Sequence, residues 1–303
     1  MTERMQVGIT GASGLIGTAL TEHLRASGHQ VTPIVRRAAG DGEIGWDPSA
    51  GRLAADDLAP LDAVVHLAGA GIGDHRWTDD YKRTLLNSRV DGTTLLANVM
   101  ADLGDHGPRV LLSGSAIGFY GDRGDEIVDE QSSAGDGFLA DICRAWEAST
   151  RPAETAGVRV AHLRTGIVLS RDGGALAKML PLFKIGAGGR FGSGDQWMSW
   201  ISITDEVRAI GHLLTADVEG PVNLAAPDPV TNREFASTLG DVLNRPSFVP
   251  VPKFGPKLLL GGELADALLF EGQRVDAAVL RGEDDFSFEH PDLTTALRAV
   301  LDR

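Results

Sequence analysis

The sequence predicts an α/β fold, a doubly wound parallel sheet with a smaller C-terminal lobe over its cleft. Three observations carry this expectation. A strand, a glycine turn, a helix and a second strand follow one another within about thirty residues of the start. Short apolar runs then alternate with helical stretches as far as Leu169, the rhythm of parallel strands joined by crossovers. After Ser170 that rhythm gives way to pieces broken by Pro and Gly.

Val7 and Ile9 belong to the first apolar run, which ends in Thr10-Gly11-Ala12-Ser13-Gly14-Leu15-Ile16-Gly17. Leu15, Ala19, Leu20 and Leu24 stand at helical spacing, Gly28 ends the helix, and Gln30 to Val35 reads as the second strand. Three glycines spaced by three suit a phosphate-binding turn. Gly11 permits the tight turn, Gly14 lets backbone approach a pyrophosphate, and Gly17 lets the helix sit close to the sheet. The spacing is G-x-x-G-x-x-G rather than G-x-G-x-x-G, and glycine turns also serve as plain connections. The place of this one, between the first strand and its helix, points to a nucleotide cofactor. The second strand ends in Arg36-Arg37, with no Asp or Glu to hold a free ribose hydroxyl. Two guanidiniums suit a 2′-phosphate, so NADP(H) is expected over NAD. An ordinary solvated pair is the alternative.

Composition bounds the partners. The 303 residues suffice for one large domain or for a large and a small one. A net charge of -14 and a pI near 4.9 argue against general nucleic-acid binding. The single cysteine, Cys143, excludes an intrachain disulfide framework and a thiolate metal cluster, and no metal is expected. With no run of eighteen apolar residues and no signal-peptide pattern, the expectation is a cytoplasmic protein that does not engage membranes. A small-molecule substrate is expected, and a homo-oligomer is compatible with the sequence.

Further along, Gly45-Trp46-Asp47-Pro48 reads as a strand edge and turn, or equally as a loop around a buried tryptophan. Asp62 to Leu67 reads as an interior strand with His66 packed inside it. Leu67, Ala68 and Gly69 then let backbone lie beside a ribose or pyrophosphate. Asp79 to Leu103 reads as one long helix carrying Arg89, a cofactor or substrate contact unless it forms a surface salt bridge. Arg109 to Leu112 is a strand running into Ser113-Gly114-Ser115 and Tyr120-Gly121, an active-site edge where Ser115 meets a substrate oxygen. Asp122 to Asp136 reads as a solvated, mobile acidic loop. Gly137 to Thr155 reads as a helix, and Val158 to Leu163 as a strand continued by Arg164 to Leu169. Ala175 to Ile185 is a helix, and Gly186 to Gly194 holds five glycines in nine residues. Trp197 to Ile203 is a strand, and Thr204 caps the next helix. Val222 to Ala225 returns to the main sheet. Thr231 to Leu243 is helical, as is a leucine-rich region through Leu269. Arg274 to Leu280 and Pro291 to Val300 are the last helices. The expected division is a Rossmann-type cofactor domain over 1–169, rejoined by 197–227, with 170–196 and 228–303 forming the substrate-side lobe.

At Thr10 to Gly17, Leu67-Ala68-Gly69, Arg76-Trp77, Asn87-Ser88-Arg89, Ser113 to Gly121, Gly135 to Leu139, Arg164 to Leu169 and Ser199-Trp200-Ile201, the chain resembles the extended short-chain dehydrogenase/reductase superfamily. It is similar within it to the NAD(P)-dependent epimerase/dehydratase-like group. It looks most like the epimerase family whose human member is short-chain dehydrogenase/reductase family 39U member 1. Glu271 to Val275 and Phe288 to Leu293 resemble that family's small terminal domain. The resemblance implies NADP(H) binding, with Thr10, Ser13, Leu15, Ile16, Ser113, Gly114, Arg164, Gly166 and Ile167 joining the cofactor set named above. It also implies a Tyr and a Lys four residues apart on the helix after Ser115. Leu139 and Cys143 stand at those places, and Tyr81 and Tyr120 are the only tyrosines. Two functions follow. One is an NADP(H)-binding oxidoreductase or nucleotide-sugar-epimerase-like enzyme of unknown substrate, with Ser115, Tyr120 and Asp141 as altered catalytic groups. The other is a sensor or regulatory protein that binds the cofactor without chemistry.

Overall fold

The computed structural model describes residues 4–303. Its main sheet has eight strands, in the spatial order Gly220–Leu224, Arg159–Thr165, Val110–Ala116, Ala63–His66, Gln6–Thr10, Gln30–Val35, Ile44–Asp47, Arg52–Leu53. The first seven run parallel, with Val7 opposite both Val31 and Ala63. The eighth is antiparallel, which makes the sheet mixed rather than purely parallel. Local chemistry explains the reversal. Asp47 accepts from the Ala50 amide, and Gly51 takes φ 63°. The chain therefore turns back within four residues, too few for a parallel crossover.

Apolar side chains of the inner strands alternate between two cores. Ala63, Val65 and Leu112 face Leu20, Leu24, Val207 and Ile210, from helices Leu15–Ala26 and Ile203–Leu213. Val64, Leu111 and Val160 face Leu96, Met100 and Ala153, from helices Asp79–Leu103 and Arg151–Thr155. Both faces are thus covered, as a parallel sheet requires. A further core joins Leu176, Leu180, Phe183, Trp200, Phe235, Leu239 and Leu297. Ala277 and Leu280, late in the chain, pack back onto the first core.

Several local expectations are corrected. The helix expected over Gly137 to Thr155 is two helices, Phe138–Ala148 and Arg151–Thr155, because Pro152 has no N–H for the preceding turn. Trp197 to Ile203 is two short strands that part at Ser199. The cap of the following helix is Ser202, which accepts from the Asp205 amide, not Thr204. Arg274–Val275 is a strand rather than the start of a helix, and it pairs with Ile127–Val128. That pairing ties down the acidic loop expected to be mobile. Val128 and Val275 are buried with Ile117 and Tyr120, and the free energy of burying them outweighs the loop's polar composition.

Glu206 is wholly buried in helix Ile203–Leu213. Among the described residues its carboxyl receives one hydrogen bond, from Thr165 Oγ1 at 3.0 Å, and its Oε2 has no partner. Burial pushes its pKa from 4.5 to about 8. The folded state therefore holds this proton where the unfolded chain releases it, so stability falls as pH rises from 4.5 toward 8. Glu206→Gln removes that slope. Urea unfolding at pH 5 and pH 8 checks it: the variant's stability relative to wild type should rise between the two pH values.

Candidate functional site

The strand order reverses beside Gln6–Thr10. The chain builds outward through Gln30–Val35, then returns to the other side with Ala63–His66. In such sheets the crevice outside the carboxyl ends of these strands is the ligand position. Thr10 ties that crevice together. Its Oγ1 accepts from the Leu67 and Ala68 amides at 3.0 and 3.1 Å, and lies 2.7 Å from His66 Nδ1. A hydroxyl has one proton, so with two amides donating to it, that proton goes to Nδ1. Burial lowers the His66 pKa to about 3, so the ring is neutral and carries its hydrogen on Nε2. His66 is therefore a packed residue, edge-on to buried Trp46.

The turn after Thr10 is closed by its glycines. Gly11 adopts φ 68°, and a Cβ there would come within 2.9 Å of the Leu67 backbone. A Cβ on Gly17 would overlap the Gly11 carbonyl oxygen. What Gly17 permits is the approach of the helix to the turn itself. Helix Leu15–Ala26 begins at Gly14 with no side-chain cap and no acidic residue in its first turn. By contrast, Thr78, Ser202, Thr231 and Asp292 cap other helices with their side chains. The amides of Leu15 and Ile16 therefore point from an uncapped positive helix end. Ser13 and Gly14 are exposed beside them.

Arg36 and Arg37 line an open cavity of about 320 Å³ with Trp46 and Arg52. Arg37 is held by both oxygens of Glu43, at 2.6 Å each, and Arg52 by Asp47 at 2.7 Å. Arg36 makes no ion pair among the described residues. On the other side of the crevice, Leu67 and Ala68 lead into Gly69, which packs against Arg89. Arg89 is 8% exposed, so the surface salt bridge is replaced by a buried cation. Its Nη1 donates to the Ala70 and Leu85 carbonyls, both at 3.1 Å. Ser113 and Gly114 are buried in their strand, where Gly114 leaves room for Trp146.

Ser115 donates to Glu147 Oε1 at 2.7 Å. Glu147 is clamped by Arg164 through two bonds of 2.8 and 2.9 Å, with side-chain exposures of 11% and 4%. Arg164 also donates to the Tyr120 hydroxyl at 3.0 Å, and that hydroxyl donates to Asn223 Oδ1 at 2.7 Å. Tyr120 is wholly buried and does not reach the crevice, and burial raises its pKa. Asp141 lies exposed on the outer side of its helix, paired with Arg144. Cys143 is buried, and its thiol is pushed up to about 11 by burial and by Glu147. Gly166 and Ile167 carry the chain from the main sheet to a small strand pair, where a Cβ on Gly166 would meet the Ser199 carbonyl at 2.7 Å. Sequence reasoning missed Glu147. Its signal was spacing, since 139, 143 and 147 fall on one face of a helix.

A second cavity, about 460 Å³, opens beside this network. Trp77, Phe138 and Leu139 form one wall, and Glu263, Asp266 and Gln273 another. Lys82 bridges the two, 2.5 Å from Glu263 and 5.0 Å from the centre of the Phe138 ring. Tyr81 donates to the Gly71 carbonyl at 2.6 Å, so it is a loop brace, apart from the Ser115 network.

Comparison with known proteins agrees with this fold. The model of the NAD dependent epimerase/dehydratase family matches residues 7–225, and one described as a domain of unknown function matches 251–300. The epimerase family protein Mb2239 of Mycobacterium bovis is 45% identical over 293 residues, covering 96% of each chain. The crystal structure of human epimerase family protein SDR39U1 with NADPH has a TM-score of 0.88 at 35% identity, covering 98% of this chain and 99% of the other. MoeE5 in complex with UDP-glucuronic acid and NAD shares the fold, with a TM-score of 0.76 at 20% identity and 98% of each chain covered. The chain belongs to the NAD dependent epimerase/dehydratase family.

The Arg164–Glu147 pair carries a stability prediction. Removing one partner strands a buried charge, which costs roughly 3–5 kcal/mol. Glu147→Ala should lower unfolding free energy by about that amount, and adding Arg164→Met should recover part of it. Urea denaturation of wild type, single and double variants measures the difference.

Proposed function

We propose that this member of the epimerase/dehydratase family binds NADP(H) and acts as an oxidoreductase or nucleotide-sugar-epimerase-like enzyme with altered acid–base groups. The observation that carries the proposal is the uncapped N-terminus of helix Leu15–Ala26, open at the sheet's point of reversal. The pyrophosphate would lie on the amides of Leu15 and Ile16, beside Thr10, Gly11, Ser13, Gly14 and Gly17. Leu67, Ala68 and Gly69 would flank the riboses. Ser113, Gly114, Arg164, Gly166 and Ile167 would enclose the far end, directly or through the Glu147 network. NADPH in the human relative supports the cofactor class. The protein would be divided as the sequence implies, with 170–196 and 228–303 on the substrate side, although the core around Phe235 and Leu297 also takes in Leu169, Met198 and Trp200 and so joins the two parts.

When bound, the nicotinamide supplies hydride chemistry, and the protein supplies orientation. Ser115 has given its only proton to Glu147, so it would receive a hydrogen bond from a substrate hydroxyl through its lone pairs. Leu139 and Cys143, in place of a tyrosine and a lysine, offer no comparable proton path. A Tyr120 sealed away from the crevice and a thiol held near 11 favour the second reading, a sensor that binds NADP(H) without turnover. Oxidation of NADPH by a carbonyl substrate would decide for the enzyme.

Cofactor choice rests on Arg36, since Arg37 is already bound by Glu43. A charge-assisted contact to a 2′-phosphate is worth roughly 1.5–3 kcal/mol, about tenfold or more in affinity. In titrations monitored by NADPH fluorescence, Arg36→Ala should weaken NADPH about tenfold and leave NADH nearly unchanged. Equal affinity of the wild type for both cofactors would contradict the assignment.

A further inference from the structure

Two stretches of this acidic chain contain no acidic residue. One runs from 173 to 194, between Asp172 and Asp195, and the other from 242 to 262, between Asp241 and Glu263. The first carries Lys178, Lys184 and Arg190, and the second Arg245, Lys253 and Lys257, in a protein of net charge -14. Of these six cations only Lys257 forms an ion pair among the described residues, with Asp266 at 2.7 Å. The same stretches hold seven of the nine large apolar side chains exposed among the described residues. Leu182 and Ile185 come from the first, and Phe248, Val249, Phe254, Leu258 and Leu259 from the second. Ile185, Phe248, Phe254, Leu258 and Leu259 are each 73–78% exposed. Helix Phe254–Leu260 buries none of its residues, whereas a surface helix ordinarily turns an apolar face to the core.

The fold sets the two stretches side by side. Arg245 Nε donates to the Lys184 carbonyl at 2.8 Å, a Cβ on Gly186 would lie 3.2 Å from Pro246, and Phe191 bridges to Val251. At the other end, Arg76 donates to the Leu258 and Leu259 carbonyls. Three residues before it, a Cβ on Gly73 would touch Lys178 Nζ and Leu268, an eighth exposed apolar side chain. The unpaired cations and the apolar side chains therefore share one surface.

Large apolar side chains gathered on a surface mark a partner, and the charge here says which. A second copy presenting the same surface would set like charges against each other. Nucleic acid would use the cations and leave the apolar side chains in water. An anionic bilayer uses both: its headgroups meet the cations while Phe and Leu enter the boundary with the acyl chains. No described helix is long and apolar enough to cross a membrane, and a surface that lies on one needs none. We propose that this surface binds bilayers with negatively charged headgroups. The acidic residues elsewhere on the chain are repelled by the same headgroups, which fixes the orientation of the bound protein. The proposal does not depend on the cofactor reading.

Flotation of the full chain with vesicles of phosphatidylcholine, alone or mixed with phosphatidylglycerol, tests the proposal. The wild type should bind the mixed vesicles at least about tenfold more tightly than phosphatidylcholine alone, and high salt should weaken that binding. Reversing two cations, Lys184→Glu with Lys253→Glu, should weaken it at least about tenfold. Replacing two apolar tips, Phe248→Ser with Phe254→Ser, should weaken it about as much, which attraction between charges alone would not produce. All four side chains are exposed, so neither pair of substitutions disturbs a core. No binding to the mixed vesicles, or binding that survives either pair, would overturn the proposal. A concentration-dependent dimer that both pairs dissolve, with no vesicle binding, would assign the surface to a second copy instead.

Discussion

One hydroxyl holds the crevice in shape. Thr10 ends the central strand, receives the Leu67 and Ala68 amides, and gives its proton to a neutral His66. Two strands and the loop above them become one rigid edge. Beyond Thr10 the chain turns through Gly11 and doubles back so closely that Gly17 has no room for a side chain. The helix end is thus aimed along the crevice by contacts that leave its own first amides unused. The rest of the candidate site is arranged around that edge.

Charge is managed locally. The chain carries a net -14, yet the crevice gathers Arg36, Arg89 and a positive helix end. Screening confines electrostatic influence to roughly 8–10 Å in ordinary salt, so distant carboxylates do not cancel these groups. Near carboxylates are already committed: Glu43 to Arg37, Asp47 to Arg52, Glu147 to Arg164. Arg36 and Arg89 are left over on opposite sides of the central strand. The Glu147–Arg164 pair acts differently, since it is satisfied from within and sets the direction of the Ser115 hydroxyl.

Much of this was legible because it is local. The first strand, its turn, helix Leu15–Ala26 and strand Gln30–Val35 are each specified by their own residues, and so is the long helix Asp79–Leu103. What escaped depends on distant partners. Arg274–Val275 becomes a strand because Ile127–Val128 lies beside it, and no local pattern announces that pairing. Tyr120 looked like an active-site residue in sequence. A tight turn over Ile117–Tyr120 rolls it inward, where Asn223, more than a hundred residues later, takes its hydroxyl. Glu147 meets Ser115 across 32 residues, so only its helical spacing hinted at a role.

The central claim is that the Thr10–Gly17 turn receives the dinucleotide phosphates. Mapping amide ¹⁵N–¹H shifts as NADPH is added tests it most directly. The account predicts that the amides of Leu15 and Ile16 shift most, as new hydrogen bonds form at the uncapped helix end. Unchanged signals there, with shifts confined to the Trp77–Leu139 cavity, would contradict it.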